Sequence, residues 1–110
     1  MYEVKSIIRP ERVAALMHAL HEIEDLPGVT VSIVRGFGKR TSMPPAAGLG
    51  FGETEMAKLE TVVPEVLLQR VVETVQELAA TGRPGDGKVF ISRVEEAIQI
   101  RSGTRGPAAL

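Results

Sequence analysis

The chain is predicted to fold as an α+β domain of the ferredoxin-like type, in the order βαββαβ, with a four-stranded antiparallel sheet and both helices on one face. Three observations predict this fold. Apolar residues recur at helical spacing in two stretches, they form short strand-like runs in four others, and each half of the chain runs strand, helix, strand. At 110 residues the chain has the length of one domain, 1–110.

The first half begins with a β-leaning run over 4–8, which Arg9 and Pro10 end. Proline suits the first turn of a helix, and apolar residues then recur at helical spacing, which predicts a helix over 10–24. Its apolar positions are Val13, Leu16, Met17, Leu20 and Ile23. Alternation of apolar and polar residues from Val29 onward predicts the second strand.

The second half follows a long segment without periodicity, which extends to about residue 55 and contains Pro44, Pro45 and three glycines. A loop of that length in a small domain is usually functional or disordered. A strand is then predicted over 56–63, a helix over 65–80 and a strand over 88–92. A last short element over 97–101 leads into a polar tail.

Composition limits the function classes. The formal net charge of −1 offers no basic surface for nucleic acid, and the chain has no cysteine for a disulfide or a thiolate metal site. No apolar run is long enough to span a bilayer and no signal peptide is visible, so a cytoplasmic location is expected. The helix-free face of the sheet is expected to carry Val, Ile and Leu, which predicts self-association.

The most distinctive stretch is 81–91, in which Pro84 and three glycines form a turn from the second helix into the last strand. Glycine permits positive φ and a close approach of backbone amides to a ligand, and such amides hold anions. Lys88, where the turn becomes a strand, adds a cation. An ordinary surface turn would use the same residue types.

The whole run Thr81-Gly-Arg-Pro-Gly-Asp-Gly-Lys-Val-Phe-Ile91 resembles the B-loop of the PII signal-transduction family. Further blocks resemble that family in the same order: 7–11, 28–31, 36–38, 62–64 and 94–103. The resemblance divides the chain into a T-loop at about 36–55, a B-loop at 81–88 and a C-terminal segment at 97–110. It implies a non-enzymatic homotrimer that binds adenine nucleotide (ADP, AMP or ATP, with Mg²⁺ possible) between subunits.

The resemblance also implies site residues. Those near the base are Ile7, Gly28, Thr30, Glu60 and Val62; those near the phosphates are Gly36, Phe37, Gly38, Lys39, Gly85, Asp86, Gly87, Lys88 and Arg101. The T-loop is expected to dock on a partner protein, with a membrane transporter favoured. Leu49 and Phe51, large apolar residues among glycine and alanine, are the expected anchors.

Three positions depart from the nitrogen-sensing members of the family. Arg40 replaces a glutamine and Met56 a lysine of the 2-oxoglutarate site, and Gln99 replaces one of two phosphate arginines. The loop also has no tyrosine for modification, because the chain's one tyrosine is Tyr2. These departures imply that 2-oxoglutarate is not a ligand.

Two other functions fit the same fold. An acylphosphatase-like enzyme would need a glycine-rich phosphate loop after the first strand, where Arg9-Pro10 leads directly into a helix. A metal-binding or metal-tolerance trimer, linked to heavy-metal efflux, could use imidazole and thioether ligands. The candidate ligands are His18, His21, Met17, Met43 and Met56.

Overall fold

An antiparallel sheet with two helices against one face organises the described part of the chain, which in this computed structural model is residues 1–38 and 54–110. The strands are β1 (Tyr2–Ile8), β2 (Thr30–Gly36), β3 (Thr54–Val63) and β4 (Gly87–Arg93), in the sheet order β2-β3-β1-β4. The α-helices are α1 (Val13–His21) and α2 (Glu65–Ala79), and short 3₁₀ helices span Pro10–Arg12 and Gly106–Ala109. This is the predicted ferredoxin-like order.

The core lies between the helices and one face of the sheet. Alternate residues of the two central strands are buried, as expected for strands covered on one face. The buried apolar residues are Val4, Ile8, Leu16, Leu20, Ile23, Ala57, Leu59, Val63, Val71, Val75 and Ala79. The apolar faces predicted for both helices are therefore confirmed.

The four predicted strands and the two predicted helices are present, and the first helix differs most from its predicted form. The helix predicted over 10–24 begins with a 3₁₀ turn, Pro10–Arg12, and its α-helical part ends at His21. Beyond it, turns with hydrogen bonds from Ile23 N to Leu20 O and from Leu26 N to Ile23 O lead to Asp25, which has a φ of 68°. The α-helix thus gives way to tighter turns at both ends.

The C-terminal residues are more ordered than the polar tail that was predicted. Ile98 and Arg105 form an antiparallel bridge, and Gln99 N donates to Thr104 O over 2.8 Å, so residues 97–106 form a hairpin. Gly103 and Gly106 have φ values of 74° and 76°, which only glycine adopts without strain. These glycines allow the reversal that the composition alone did not reveal.

The helix-free face of the sheet carries both apolar and charged residues. Ile7, Val34 and Val62 lie on it, in agreement with the apolar residues expected there. The strand register also places Glu3 and Lys5 of β1 on this face. Apolar and charged side chains therefore alternate across it.

Candidate functional site

The loop between α2 and β4 is built around the carboxylate of Asp86. Thr81 N donates to Asp86 Oδ2 over 2.7 Å and Gly82 N donates to the same oxygen over 3.0 Å. The hydroxyl of Thr81 donates a further hydrogen bond, to Oδ1. One side chain thus ties the end of the loop to its beginning, five residues earlier.

Arg9, which follows β1, holds the same loop from outside. Its Nε donates to Asp86 Oδ1 over 2.9 Å, and its NH2 donates to the carbonyl oxygen of Pro84 over 2.8 Å. Arg12 adds a bond of 3.1 Å from NH2 to Ala80 O. The loop is therefore fixed to the first strand and the first helical turn, as well as to its own ends.

These donors hold the pKa of Asp86 far below its ordinary value. The hydrogen bond from the Thr81 side chain is the largest cause, followed by the one from Arg9 and by the Thr81 backbone amide, and partial burial opposes them. Hydrogen bonds to the charged form of a carboxyl group favour that form. Asp86 is consequently ionised in the folded protein, and its charge is directed into the loop.

Three glycines give the loop its path. Gly82, Gly85 and Gly87 have φ values of 81°, 93° and 103°. At Gly87 a Cβ atom would lie 1.7 Å from the carbonyl oxygen of Ile7, so a side chain cannot fit beside β1. The backbone thus enters β4 in a conformation and at a spacing that require glycine.

The loop lies at the end of the sheet where β2 finishes, at Gly36. Gly87 pairs with Ile8 of β1, Ile8 pairs with Ala57 of β3, and Ala57 pairs with Ile33 of β2. Gly36, Phe37 and Gly38 follow Ile33 toward this end. Their nearness to nucleotide phosphates stays a prediction. Lys39, Arg40, Leu49 and Phe51 lie outside the described residues.

A second group of predicted residues lines a cleft toward the other end of the sheet. Gly28, Thr30, Glu60 and Val62 border a cavity of about 330 Å³, together with Glu3, Pro27, Thr61 and Leu110. Thr61 Oγ1 donates to Gly28 O over 2.6 Å and fixes the entry to β2. Glu60 pairs with Lys58, with 3.0 Å between Nζ and Oε1.

The predicted site therefore divides into two groups within one chain. Ile7, Lys88, Thr30, Glu60 and Val62 occupy the same face of the sheet by register, and that face is the helix-free one. Along β1, Gly87 is level with Ile8 and Val62 with Glu3, five residues or about 17 Å apart at the usual rise of a strand. Thr30 and Lys88 differ by only two residues along the strands, but they lie on β2 and β4, the two edge strands of the sheet. The structure brings the residues to one face but not to one cleft.

Arg101 lies on the C-terminal hairpin and is exposed. The turn that carries it is held by Gly103 N donating to Gln99 O over 2.8 Å. The side-chain oxygen of Gln99 accepts a hydrogen bond from the Ser102 hydroxyl. Gln99 therefore stabilises the hairpin turn.

Two features of the site were not predicted from the sequence. The first is Arg9, which lies 77 residues from Asp86 in the chain and could be paired with it only in the fold. The second is the inward role of Asp86, which was expected at the phosphates. The spacing of Thr81 and Asp86 within a glycine-rich turn was the available signal, since hydroxyl and carboxylate side chains commonly close such turns.

The proposed metal ligands do not converge in the described part of the chain. His18 Nε2 is 4.0 Å from Glu22 Oε1 on the exposed side of α1, and Met17 packs against the core. Across residues 1–38 and 54–110, no group of three or more His, Cys, Asp or Glu side chains is placed to hold a metal ion. Met43 lies outside the described residues.

Comparisons with known proteins identify the family of the chain. Residues 1–104 match the family model described as nitrogen regulatory protein P-II. The nitrogen regulatory protein P-II of Rhodospirillum rubrum is 39% identical over 113 aligned positions, and that of Azospirillum brasilense is 35% identical; each alignment covers both chains completely. A P-II homolog of Arabidopsis thaliana is 40% identical over 98% of this chain and 57% of its own length. This chain belongs to the P-II family.

P-II proteins are regulatory signalling proteins that bind small-molecule effectors and act on partner proteins. The recognition of the family from the B-loop and its companion blocks is therefore confirmed, as is the ferredoxin-like fold. Within the described residues of this P-II protein, no helix is both long and apolar enough to cross a bilayer.

Proposed function

We propose that this P-II protein is a non-enzymatic nucleotide sensor that works as a homotrimer. Each of three clefts between subunits takes an adenine nucleotide, and the segment 36–55 passes the bound state to a partner protein. The observation that carries this proposal is the B-loop, whose glycine-rich backbone is fixed in advance by Asp86, Arg9 and Thr81. A fixed loop loses little entropy when it holds a polyanion.

The division of the site supports assembly. The B-loop leads into β4 and the cleft lined by Gly28 and Glu60 lies beside β2 and β3, on the other side of the sheet. A single nucleotide therefore touches both readily when they come from different subunits. Exposed apolar side chains support the same conclusion, because Phe90 is 53% exposed on the helix-free face and Ile100 is 100% exposed on the C-terminal hairpin. Burying them stabilises an assembly.

The cations near the B-loop suit a nucleotide with few phosphate groups. Lys88 and Arg101 are cations that the chain can direct to phosphates, whereas the Asp86 carboxylate is already neutralised by Arg9. Because Asp86 is engaged in this way, Mg²⁺ would be held mainly by the phosphates of the nucleotide. With Gln99 in place of a second arginine, ADP or AMP is bound about as well as ATP.

Titration calorimetry with ATP, ADP and AMP tests the proposal. Lys88→Ala should weaken binding by about ten- to a hundredfold, the range for a lost hydrogen bond to a charged group. Arg70→Ala, on the exposed side of α2, is the matched control and should leave the dissociation constant unchanged. A wild-type protein that bound none of the three nucleotides at millimolar concentration would refute the function.

The partner is proposed to be a membrane transporter, docked through the segment 41–55 with Leu49 and Phe51 as its apolar anchors. Large apolar residues flanked by glycine and alanine have few apolar neighbours in sequence against which to pack. They are therefore available to fill an apolar pocket of a partner protein. Deleting residues 42–52 should abolish co-purification with membranes while nucleotide binding is retained. Unchanged membrane association after this deletion would contradict the role of the segment.

A further inference from the structure

The contacts of Arg9 with the B-loop assign a role to a residue outside the predicted nucleotide site. We infer that Arg9 is a positioning residue for the recognition of nucleoside polyphosphate, an inference that rests on the proposed function. It acts by fixing the B-loop through Asp86 and Pro84, without itself touching the phosphates. Its two hydrogen bonds, of 2.9 and 2.8 Å, reach both a side chain and a backbone carbonyl of the loop.

The geometry favours positioning over direct binding. The guanidinium uses Nε for the carboxylate of Asp86 and NH2 for the carbonyl of Pro84, and its side chain is 22% exposed. Its positive charge is thus directed at a carboxylate that has the opposite charge. A cation compensated in this way attracts a phosphate weakly, so the contribution of Arg9 to affinity comes from the shape of the loop.

The network reaches the backbone of the loop through Asp86. Its Oδ2 accepts hydrogen bonds from the amides of Thr81 and Gly82, at 2.7 and 3.0 Å. Its Oδ1 accepts hydrogen bonds from Arg9 Nε and from the Thr81 hydroxyl. Moving the guanidinium would therefore displace the carboxylate and loosen the start of the loop. Arg9 thereby connects the end of β1, which also carries Ile7, to the amides before β4.

Lysine is expected to be a poor replacement for Arg9. It keeps the charge, but its ammonium group is a point donor and lacks the planar fork that reaches two acceptors in fixed directions. Arg9→Lys should therefore release the bond to Pro84 O while leaving the net charge of the protein unchanged. Arg9→Gln removes the charge as well.

The experiment measures two quantities on the full chain: amide hydrogen exchange without ligand, and the affinity for ADP. Hydrogen exchange of the Thr81 and Gly82 amides should become about tenfold faster in Arg9→Lys and Arg9→Gln, because the hydrogen bonds to Asp86 open more often. In calorimetry, ADP should bind about tenfold more weakly to both variants. Arg70→Lys and Arg70→Gln, on the exposed side of α2, should change neither quantity.

A double-mutant cycle with Asp86→Asn separates positioning from direct contact. If Arg9 acts through Asp86, Arg9→Gln should lose most of its effect on ADP affinity in the Asp86→Asn background. Additive losses, or weaker ADP binding with unchanged exchange of the loop amides, would show a direct contact and overturn the inference. Faster exchange with unchanged ADP affinity would also overturn it, while leaving the proposed function intact. Wild-type protein that did not bind ADP, ATP or AMP would refute the function itself.

Discussion

Asp86 makes the stability of this protein sensitive to acid in a defined direction. The pKa of the folded carboxyl is lowered, first by the Thr81 side chain and then by Arg9, whereas the unfolded carboxyl titrates near its usual value of about 3.9. A lowered folded pKa contributes stability that is complete above the unfolded value and is lost as the pH falls toward the folded one. Asp86 should thus stabilise the protein at neutral pH and contribute progressively less below about pH 4.

Thermal unfolding of the wild type and of Asp86→Asn checks this at several pH values. The variant should melt at a lower temperature at pH 7, and the difference should narrow as the pH falls below about 4. Glu77→Gln, an exposed carboxyl on α2, serves as the control because it lacks this network. A difference that stayed constant down to pH 2.5 would show that the charge of Asp86 contributes nothing.

Gly87 is the residue at which a single methyl group should be most damaging. Its φ of 103° strains any other residue, and a Cβ would lie 1.7 Å from Ile7 O on the adjacent strand. Gly87→Ala should therefore lower the free energy of unfolding by at least about 3 kcal/mol, because strain and a backbone clash add. Denaturant unfolding measures this cost.

Gly103→Ala is the matched control for Gly87. Gly103 has a φ of 74°, but nothing lies within 4 Å of its Cβ position, so alanine there should cost only the strain of about 1 kcal/mol. Equal costs at the two glycines would mean that β4 moves away from β1 without penalty.

Ligand selectivity is a further property that we expect to depend on single residues. Met56 pairs with Val34 near the beginning of β3, and its thioether has no positive charge that could pair with a carboxylate of 2-oxoglutarate. We expect that 2-oxoglutarate does not strengthen the binding of ATP in the presence of Mg²⁺. Calorimetry with and without 2-oxoglutarate measures this, and a tenfold gain in ATP affinity would place the chain among the 2-oxoglutarate sensors.

At the scale of the elements, α2 joins the core to the B-loop. Val71 is fully buried against the sheet, whereas Val66, five residues earlier on the same helix, is 85% exposed. Val71→Ala should lower the free energy of unfolding by about 1.5–3 kcal/mol, from lost burial and an unfilled cavity. Val66→Ala should change it by less than about 0.5 kcal/mol.

The elements show how far the sequence could predict this molecule. Strands and helices followed from periodicity, because the buried side chains of α2 and of the central strands repeat at the spacing of their own secondary structure. The C-terminal hairpin was missed, since it depends on Gly103 and Gly106 and on hydrogen bonds among polar residues, which leave no apolar period. The hairpin is therefore visible only in the folded chain.

The site was predictable in its parts but not in its arrangement. The glycine-rich loop could be identified because turn residues follow one another in the chain. The contact between Arg9 and Asp86 could not, because it joins segments brought together by the pairing of β1 with β4. Likewise, only the register showed that Thr30 and Lys88 share a face while lying on opposite edge strands of the sheet.

At the scale of the whole molecule, the proposed function makes nucleotide binding depend on assembly. The helix-free face carries both the apolar Phe90 and the paired charges of Lys58 and Glu60. A second copy of the chain can therefore bury Phe90 and place opposite charges beside Lys58 and Glu60. A protein diluted until it dissociates should therefore lose nucleotide affinity, because each separated chain keeps only part of each cleft.

Phe90→Asp tests this dependence directly. Phe90 lies opposite Lys5 on the helix-free face and is 53% exposed, so an aspartate there should leave the fold intact. It should also replace an apolar contact of the interface by a carboxylate, whose removal from water is costly. Light scattering at micromolar concentration should change from three subunits to one, and ADP binding should fall at least tenfold. Val66→Asp makes the same kind of change on the outer side of α2 and should preserve both. A Phe90→Asp protein that was monomeric yet bound ADP as tightly as the wild type would show that one chain holds a complete site.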